Sequence, residues 1–370
     1  MSARDPCRGT AVALTGPPFE RGRQQAASFP ELVASVRNAV ALRMDETAEA
    51  LAAPATRAYV DALRQFHQRN DPDIMAEIAG IGEGFGIDKD RLFDYLNLSL
   101  VADLDPPAGT VEECTAFAVS DSGRGALVAK NRDYRAEHFA LQKVFHHRDP
   151  AWGGRQVLCL GSLGSPGNFS SGMNSDGLAV ADTASRTTRH GVGRHRYFLL
   201  TRLLTHCATV AEALADITSV PHAGGGLLVM GDATGTVATV ELGHNAVALE
   251  VRTDGWVARS NHFAAELTAP LNRVDGGQAA GHRNSLERLP EVRGLLERAE
   301  GPMGVAAAAD ILSHHGGEDG PSLCRHGDGD LSQTISGSIY VAGEGRMLFA
   351  EGNPCRASWA SFALDGAQAP

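Results

Sequence analysis

The stretch that decides the fold reads CTAFAVSDSGRGALVAKNRDY over residues 114–134. Residues 114–119 and 126–129 are short, mostly apolar runs, and the Asp-Ser-Gly sequence at 121–123 between them is typical of a turn. This arrangement predicts a β-hairpin with two antiparallel strands. Adjacent hairpins favour antiparallel sheets over a doubly wound parallel sheet, in which helices separate the strands.

Outward from this hairpin, the chain has two different patterns. Upstream, residues 1–113 read as helical, because apolar side chains recur at near-helical spacing and Asp71-Pro72 is a typical helix start. Downstream, short apolar runs alternate with helical patterns. We therefore predict an α+β protein whose pattern changes at the turn-rich DPPAG sequence, residues 105–109. The further strand candidates are 156–160, 178–182, 226–230, 237–242, 246–251, 337–341 and 347–350, and the downstream helix candidates are 196–206, 210–217, 285–299 and 304–313.

The composition is that of a globular protein and narrows the choice of partners. With 370 residues, 43% of them hydrophobic, the chain can form one large core or two smaller ones. A net charge of −11 argues against a nucleic-acid partner. No run approaches the ~18 apolar residues of a membrane span, and no signal sequence is evident. We therefore expect no membrane partner and a cytoplasmic location.

The six cysteines, at positions 7, 114, 159, 207, 324 and 355, are widely spaced and include no Cys-x-x-Cys pair. In a reducing compartment they predict buried thiols or single reactive sites. The sequence has no ligands at the short local spacing of His-Glu-x-x-His, so we expect no metal and no other cofactor. The basic cluster at 186–196 leaves two interpretations open: a solvated loop, or a wall near an anionic group of the substrate.

Short signatures along almost the whole chain occur in one consistent order. They are GPPFERG at 16–22, EIAGIGEG at 77–84, CTAF at 114–117, KNRDY at 130–134, GMNSDGL at 172–178, SNHF at 260–263, SLCRH at 322–326 and GNPC at 352–355. Through them the chain resembles the acyl-coenzyme A:6-aminopenicillanic acid acyltransferase family, which is peptidase C45-like. This family is a branch of the N-terminal-nucleophile hydrolases that also includes β-alanyl-amine hydrolases. Choloylglycine and penicillin V hydrolases are more distant relatives.

The resemblance implies a four-layer αββα sandwich of the N-terminal-nucleophile hydrolase type. In such enzymes the chain cuts itself immediately before the nucleophile. Residues 1–113 would then form a helical α fragment that stays associated with a catalytic β fragment, residues 114–370. Cys114 would be the nucleophile and its freed α-amino group the base, while Asn261 would donate a hydrogen bond to the developing oxyanion.

The resemblance also assigns residues around the nucleophile. Asp133, in the returning strand of the hairpin, would orient the new α-ammonium group; the alternative is a salt bridge with Lys130 or Arg135. Lys130 either takes part in the site or forms a solvated strand end. Arg132 and Tyr134 would point to the sheet face opposite Asp133, where they would line the substrate pocket or pack under a helix. The remaining supporting candidates are Asn131 and His262, the latter with a structural histidine as the alternative.

The function implied by the resemblance is that of a cysteine amidohydrolase. It would cleave the C–N amide bond of a small N-acyl amine or N-acyl amino acid through an acyl-cysteine intermediate. Two alternatives stay open: an acyltransferase that moves the acyl group from a thioester or amide to an amine, and an unprocessed, non-catalytic scaffold. The expected partners are a small acylated substrate and the α/β heterodimer formed by cleavage, with a further oligomer open. The chain departs from the family at Glu113, where relatives carry glycine, which eases the strained backbone that cleavage requires.

Overall fold

The computed structural model describes residues 7–104, 113–167, 169–274, 279–316, 321–326 and 332–365. The predicted turn-rich segment at 105–109 lies outside the described residues. Before it, the chain is mostly helical, as predicted. Asp88 caps the helix at 89–96, where its side chain accepts hydrogen bonds from two backbone amides of the first turn, and Gly86, in the left-handed conformation, follows the end of the helix at 72–85. The helices are α1 Pro18–Ser28, α2 Val33–Glu46, α3 Ala48–Ala52, α4 Pro54–Asn70, α5 Pro72–Phe85, α6 Lys89–Leu96 and α7 Leu98–Leu104.

The prediction that residues 1–113 are entirely helical is wrong in two places. Strands β1, Cys7–Arg8, and β2, Val12–Thr15, precede the first helix. β1 pairs in parallel with the last strand of one sheet, and β2 pairs in parallel with an edge strand of the other. Runs of two and four residues are too short to show an alternating pattern, and their partners lie far away in the sequence, so local reading missed them.

Two β-sheets follow, and the predicted hairpin lies inside one of them. Its strands, Glu113–Val119 (β3) and Leu127–Tyr134 (β4), pair antiparallel, with Cys114 opposite Arg132. The seven-stranded sheet has the order β1-β15-β14-β13-β4-β3-β12, and the eight-stranded sheet has the order β11-β10-β9-β8-β7-β6-β5-β2. The strands are β3 Glu113–Val119, β4 Leu127–Tyr134, β5 Gln142–Arg148, β6 Gln156–Ser162, β7 Ser171–Asn174, β8 Leu178–Ala184, β9 Gly226–Asp232, β10 Val237–Gly243, β11 Ala246–Arg252, β12 Trp256–Arg259, β13 Gln333–Val341, β14 Arg346–Glu351 and β15 Trp359–Ala363.

The sheets stack face to face and are covered by helices on both outer faces. The remaining helices are α8 Arg196–His206, α9 Val210–Ile217, α10 Ala279–Glu297 and α11 Val305–Leu312. Helices α8 and α9 pack on the eight-stranded sheet, and α10 and α11 pack on the seven-stranded sheet. One apolar core fills the space between the sheets and others lie under the helices. The predicted four-layer αββα sandwich is therefore confirmed.

Alternation along β3 sets the direction of each side chain near its start. Ala116 and Ala118 belong to the core between the sheets, whereas Phe117 and Val119 belong to the core under α10 and α11. Because successive side chains of a strand point to opposite faces, Cys114 points between the sheets. Within the described residues, no helix is long and apolar enough to cross a membrane.

Candidate active site

Cys114 is the second residue of β3, and its side chain is buried. It borders a small cavity, with about 240 Å³ of empty space, between the two sheets. The walls of this cavity combine charged groups of both signs with aromatic side chains. The lining residues are Cys114, Lys130, Arg132, Asp133, Tyr134, Phe169, Asp182, Ala184 and Tyr197.

The backbone at Cys114 is held by Asn261 from the segment that follows β12. The Cys114 amide donates a 2.6 Å hydrogen bond to Oδ1 of Asn261. The Nδ2 group of Asn261 donates in turn to the carbonyl of Ala184 at 2.9 Å. The side-chain amide therefore presents its oxygen to a donor and its nitrogen to an acceptor, which fixes its orientation. The predicted oxyanion donor thus lies directly beside the predicted nucleophile.

Arg288 of α10 is the group that sequence reasoning missed. Its guanidinium donates to the carbonyl oxygen of Cys114 at 2.6 Å and to Oγ1 of Thr115 at 2.7 Å. It also donates to Oδ1 of Asn261 at 2.8 Å. The side chain is fully buried. Arg288 lies 174 positions from Cys114 in the sequence, in a helix whose local pattern carries no signature, so only the tertiary structure reveals it.

Lys130 belongs to a buried charge network on the cavity wall. Its Nζ contacts Oδ1 of Asp182 at 2.5 Å and the carbonyl of Ser170 at 3.3 Å. The other carboxylate oxygen of Asp182 accepts a 3.0 Å hydrogen bond from Arg196. Lys130 is only 2% exposed, so its interpretation as a solvated strand end is wrong.

Burial raises the pKa of the Cys114 thiol above its ordinary value, because a thiolate loses hydration in this cavity. Lys130 opposes this shift, while the carboxylates of Asp133 and Asp182 add to it. The thiol therefore stays protonated at neutral pH in the uncleaved chain. A nucleophilic role needs a nearby base to accept its proton.

Asp133 is buried on the sheet face opposite Arg132. Oδ1 of Asp133 accepts a 2.6 Å hydrogen bond from the hydroxyl of Thr334 on β13, and that hydroxyl accepts the backbone N–H of Arg325 at 2.8 Å. The alternative salt bridge of Asp133 is wrong for both proposed partners: Lys130 pairs with Asp182, and the guanidinium of Arg135 pairs with Glu46 and Glu137.

Glu113 lies directly opposite Asp133 in the antiparallel register. Its carboxylate is buried and forms an ion pair with the guanidinium of Arg325. Two facing carboxylates would repel each other in a low-dielectric site, and the guanidinium of Arg325 compensates that repulsion. Glu113, the residue that departs from the family pattern, is thus stabilised in the fold by its ion pair with Arg325.

The other predicted residues divide between the cavity and its surroundings. Arg132 and Tyr134 line the cavity, and Arg132 donates to the side-chain oxygen of Gln142 at 2.7 Å. Asn131 points away and donates from Nδ2 to the carbonyls of Leu312 and Leu323, both at 2.7 Å.

His262 does not line this cavity. Its Nδ1 contacts the hydroxyl of Ser285 at 2.8 Å and that of Ser260 at 3.2 Å. Burial, with nearby His282 and Arg288, lowers the pKa of His262 to about 4, so the ring is neutral at pH 7. These contacts favour the structural alternative for this histidine.

A larger cleft lies beside the peptide bond between Glu113 and Cys114. It has about 720 Å³ of empty space that is open to solvent, and it shares Ala184 with the cavity at Cys114. Helix α7 of the N-terminal segment forms part of its wall. Its charged side chains are Arg43, Asp103, Glu113, Arg186, Arg196 and Arg273, together with the partly buried His282.

The basic cluster at 186–196 is not a solvated loop, which corrects one of the two interpretations of the sequence. Arg194 is 3% exposed and pairs with Asp71, so Asp71 serves as an ion-pair partner and its side chain does not cap α5. Arg196 is also buried and pairs with Asp182. Arg186 lines the cleft and pairs with Asp103.

The four-layer αββα sandwich, with a cysteine near the start of an inner strand, defines the class of N-terminal-nucleophile hydrolase folds. The profile of one family of this class, "Acyl-coenzyme A:6-aminopenicillanic acid acyl-transferase", matches residues 120–356. This match spans more than half of the chain, so the chain belongs to that family. The matched span includes Asp133 and Asn261 and begins after Cys114.

Comparison with solved structures found similar folds at low sequence identity. A mutant of conjugated bile acid hydrolase from Clostridium perfringens has 11% identity and a TM-score of 0.42, over 70% of this chain and 98% of that one. Penicillin V acylase from Agrobacterium tumefaciens has 12% identity and a TM-score of 0.40, over 64% of this chain and 83% of that one. A sequence search of curated proteins found no match.

Proposed function

We propose that this protein is a self-processing cysteine amidohydrolase with Cys114 as its nucleophile. The observation that carries the proposal is the arrangement around the first residues of β3. The Cys114 thiol faces a cavity, while its backbone nitrogen, the future α-amine, is held by Asn261 at 2.6 Å. Cleavage of the Glu113–Cys114 bond would convert that nitrogen into a base next to the thiol.

The proposed base, the α-amino group of Cys114, would supply the proton acceptor that the protonated thiol needs. Burial keeps the pKa of the Cys114 thiol high, so a thiolate forms only if a neighbouring group takes the proton. A free α-amino group has a pKa of about 8, which suits this transfer at neutral pH. The sulfur would attack the acyl carbon, and the C–N bond would break as the proton passes to the leaving amine. Water would then hydrolyse the acyl-cysteine to release the acid and restore the thiol.

The developing oxyanion would be stabilised by groups that are already ordered. We assign Asn261 as one donor, because its amide is oriented by three partners and needs no reorganisation during the reaction. The side-chain nitrogen carries two N–H groups, and we assign one of them to the developing oxyanion. Arg288 would position Asn261 and the start of β3 through its contacts with both.

The charge of the cleft favours one of the two substrate classes. Four arginine side chains line it against two carboxylates, those of Asp103 and Glu113. Within this set Arg186 pairs with Asp103, Arg196 pairs with Asp182, and Glu113 pairs with Arg325, so the lining holds more guanidinium groups than carboxylates. A cationic wall favours a substrate that carries a carboxylate. We therefore propose N-acyl amino acids rather than N-acyl amines as substrates.

Intact-mass measurement of the purified wild-type protein tests the proposal first. We expect two fragments, residues 1–113 and 114–370, whereas Cys114→Ala should remain a single chain. Processed protein should then release acid from a panel of N-acyl amino acids, and Cys114→Ala should not. An active wild-type protein that is continuous through Glu113 and Cys114 would overturn the proposal, as would activity in Cys114→Ala.

Acyl transfer uses the same acyl-cysteine, and the family name makes it the second candidate. The two reactions differ only in the acceptor, which is water or an amine. Adding increasing concentrations of a primary amine to the hydrolysis assay separates them. Hydrolysis predicts a constant yield of acid, whereas transfer predicts that a new amide replaces the acid.

A further inference from the structure

Two histidines and two cysteines meet at one place on the outer side of the seven-stranded sheet. They are His315 after α11, Cys324 and His326 in the next described segment, and Cys355 after β14. One side-chain nitrogen or sulfur atom of each residue lies within 4.8 Å of the corresponding atoms of the other three. Nε2 of His326 lies 3.1 Å from Sγ of Cys355, and the two imidazole rings are 4.9 Å apart.

This donor set is typical of a tetrahedral zinc ion. Two thiolates and two imidazoles form a common structural zinc site, with Zn–S distances of about 2.3 Å and Zn–N distances of about 2.0–2.1 Å. Tetrahedral geometry with these bond lengths places neighbouring ligand atoms about 3.3–3.8 Å apart. The observed separations, 3.1 Å between Nε2 of His326 and Sγ of Cys355 and at most 4.8 Å for the other pairs, would bring the four atoms to these distances after small side-chain shifts. Thiolate ligands disfavour Mg²⁺ and Ca²⁺, which prefer oxygen.

We propose that His315, Cys324, His326 and Cys355 bind one zinc ion. Four protein ligands close the coordination sphere, so the ion would have a structural role and would not activate water. This proposal is independent of the reaction at Cys114. It differs from the sequence-based expectation of no metal, which considered only ligands at short local spacing, whereas these ligands come from three separate segments.

The hydrogen bonds of His315 support a ligand role. Its Nδ1 lies 3.0 Å from the hydroxyl of Ser322, and that hydroxyl donates to the carbonyl of Cys324 at 2.6 Å. Since the hydroxyl proton is already used, the serine oxygen accepts the Nδ1–H of His315. The lone pair of His315 then lies on Nε2, where it can bind a metal ion. In known metal sites, a hydrogen bond from the other ring nitrogen orients the histidine ligand in the same way.

The neighbouring histidine, His314, does not belong to the cluster. His314 points elsewhere, and its Nε2 lies 2.8 Å from the carboxylate of Glu291 on α10. Adjacent residues diverge in this way because neighbouring side chains along a helix or strand point in different directions. His314 therefore provides a matched control for His315.

The position of the cluster indicates which chain segments a bound metal would join. Arg325, which pairs with Glu113, lies between the two ligands Cys324 and His326. From the other side, the side chain of Asn353 donates to the carbonyl of Thr334 at 2.7 Å. A zinc ion would join the 324–326 segment to the loop of Cys355 and so fix both segments around Thr334 and Asp133.

Metal content and cobalt spectroscopy of the full-length protein test the site. The protein is purified under reducing conditions, stripped with a chelator, and titrated with Zn²⁺ or Co²⁺ alone. We expect one zinc per chain, and a cobalt complex with the visible bands of tetrahedral coordination and a thiolate-to-metal charge-transfer band. His315→Ala and Cys355→Ser should lose these bands, His314→Ala should keep them, and Ser322→Ala should weaken binding about 10- to 100-fold.

The wild-type cobalt spectrum tests the site even if a variant fails to fold. A wild-type protein that binds neither metal stoichiometrically would overturn the proposal. A Cys324–Cys355 disulfide, found by peptide mapping of the protein purified under reducing conditions, would overturn it as well. Retention of the charge-transfer band in Cys355→Ser together with Cys324→Ser would place the metal elsewhere and equally reject this site.

Discussion

The backbone amide of Cys114 donates a 2.6 Å hydrogen bond to the side-chain oxygen of Asn261. This contact joins the start of β3 to the segment after β12, across 147 positions of sequence. It holds the nitrogen that self-cleavage would release and places the Asn261 amide beside the sulfur. The same side chain can therefore order the nucleophile before the reaction and the oxyanion during it.

An Asn261→Asp substitution separates these two roles. The aspartate keeps an oxygen that can accept the Cys114 N–H, and Arg288 can pair with the new charge, but the amide donor is lost. We expect kcat to fall about 100- to 1000-fold with a smaller change in KM. Steady-state kinetics on the processed variant measures this. A kcat within ~3-fold of wild type would show that Asn261 does not stabilise the oxyanion.

Removal of Arg288 should destabilise the fold. Arg288→Met would leave the carbonyl of Cys114, the hydroxyl of Thr115 and the oxygen of Asn261 without this buried donor. Buried acceptors that lose a partner cost roughly 1–3 kcal/mol each, and partial relaxation suggests a total of about 3 kcal/mol.

Urea denaturation of Arg288→Met measures this loss. Arg283→Met, at an exposed position of the same helix, is the matched control and should change stability by less than ~0.5 kcal/mol. If the two variants are equally stable, the contacts of Arg288 do not support the start of β3.

Which site residues can be predicted from the sequence depends on how far apart along the chain the interacting residues lie. The hairpin, Cys114, Asp133 and Asn261 lie in short signatures, so local patterns are enough to find them. Arg288 has no such signature, because its role depends on α10 covering the strand. The four proposed metal ligands were missed for the same physical reason, as were the edge strands β1 and β2: each depends on segments that only the tertiary fold brings together.

The ion pair between Glu113 and Arg325 should show strong coupling. Arg325→Met leaves the buried carboxylate of Glu113 without this partner and should cost about 3 kcal/mol, whereas Glu113→Gln leaves the partly exposed guanidinium of Arg325 and should cost less. The double variant should recover part of that loss, because it leaves neither charge. A double-mutant cycle from urea denaturation measures the coupling. Additive losses would mean that the pair does not stabilise the fold.

Acid should destabilise the protein through its buried neutral histidines. Burial lowers the pKa of His262 to about 4 and that of His147 to about 3. Below about pH 6.5 the unfolded chain takes up protons at these residues while the folded chain does not. The free energy of unfolding should therefore be maximal above that pH, and each such histidine should lower it by about 1.4 kcal/mol per pH unit on acidification.

The His262→Asn variant isolates one of these contributions. Asparagine can still bond to Ser285 but does not take up a proton in this range. From pH 6.5 towards pH 4, its stability should fall less steeply than that of wild type, by about 1.4 kcal/mol per pH unit. Equilibrium unfolding at several pH values measures both slopes. Parallel slopes would show that His262 titrates equally in the folded and unfolded chains.

Arg273 offers the sharpest test of substrate class, because it lies in the wall of the cleft and not among the groups that contact Cys114. An Arg273→Ala substitution removes one positive charge from the region assigned to the substrate carboxylate. For an N-acyl amino acid we expect KM to rise about 10-fold with kcat nearly unchanged, since a binding contact present equally in ground and transition states affects only KM. The corresponding amide substrate, in which the carboxylate is neutral, is the control and should lose little. An equal rise in KM for both substrates would mean that Arg273 shapes the cleft but does not bind the substrate carboxylate. The assignment of a carboxylate-bearing substrate would then lose its basis.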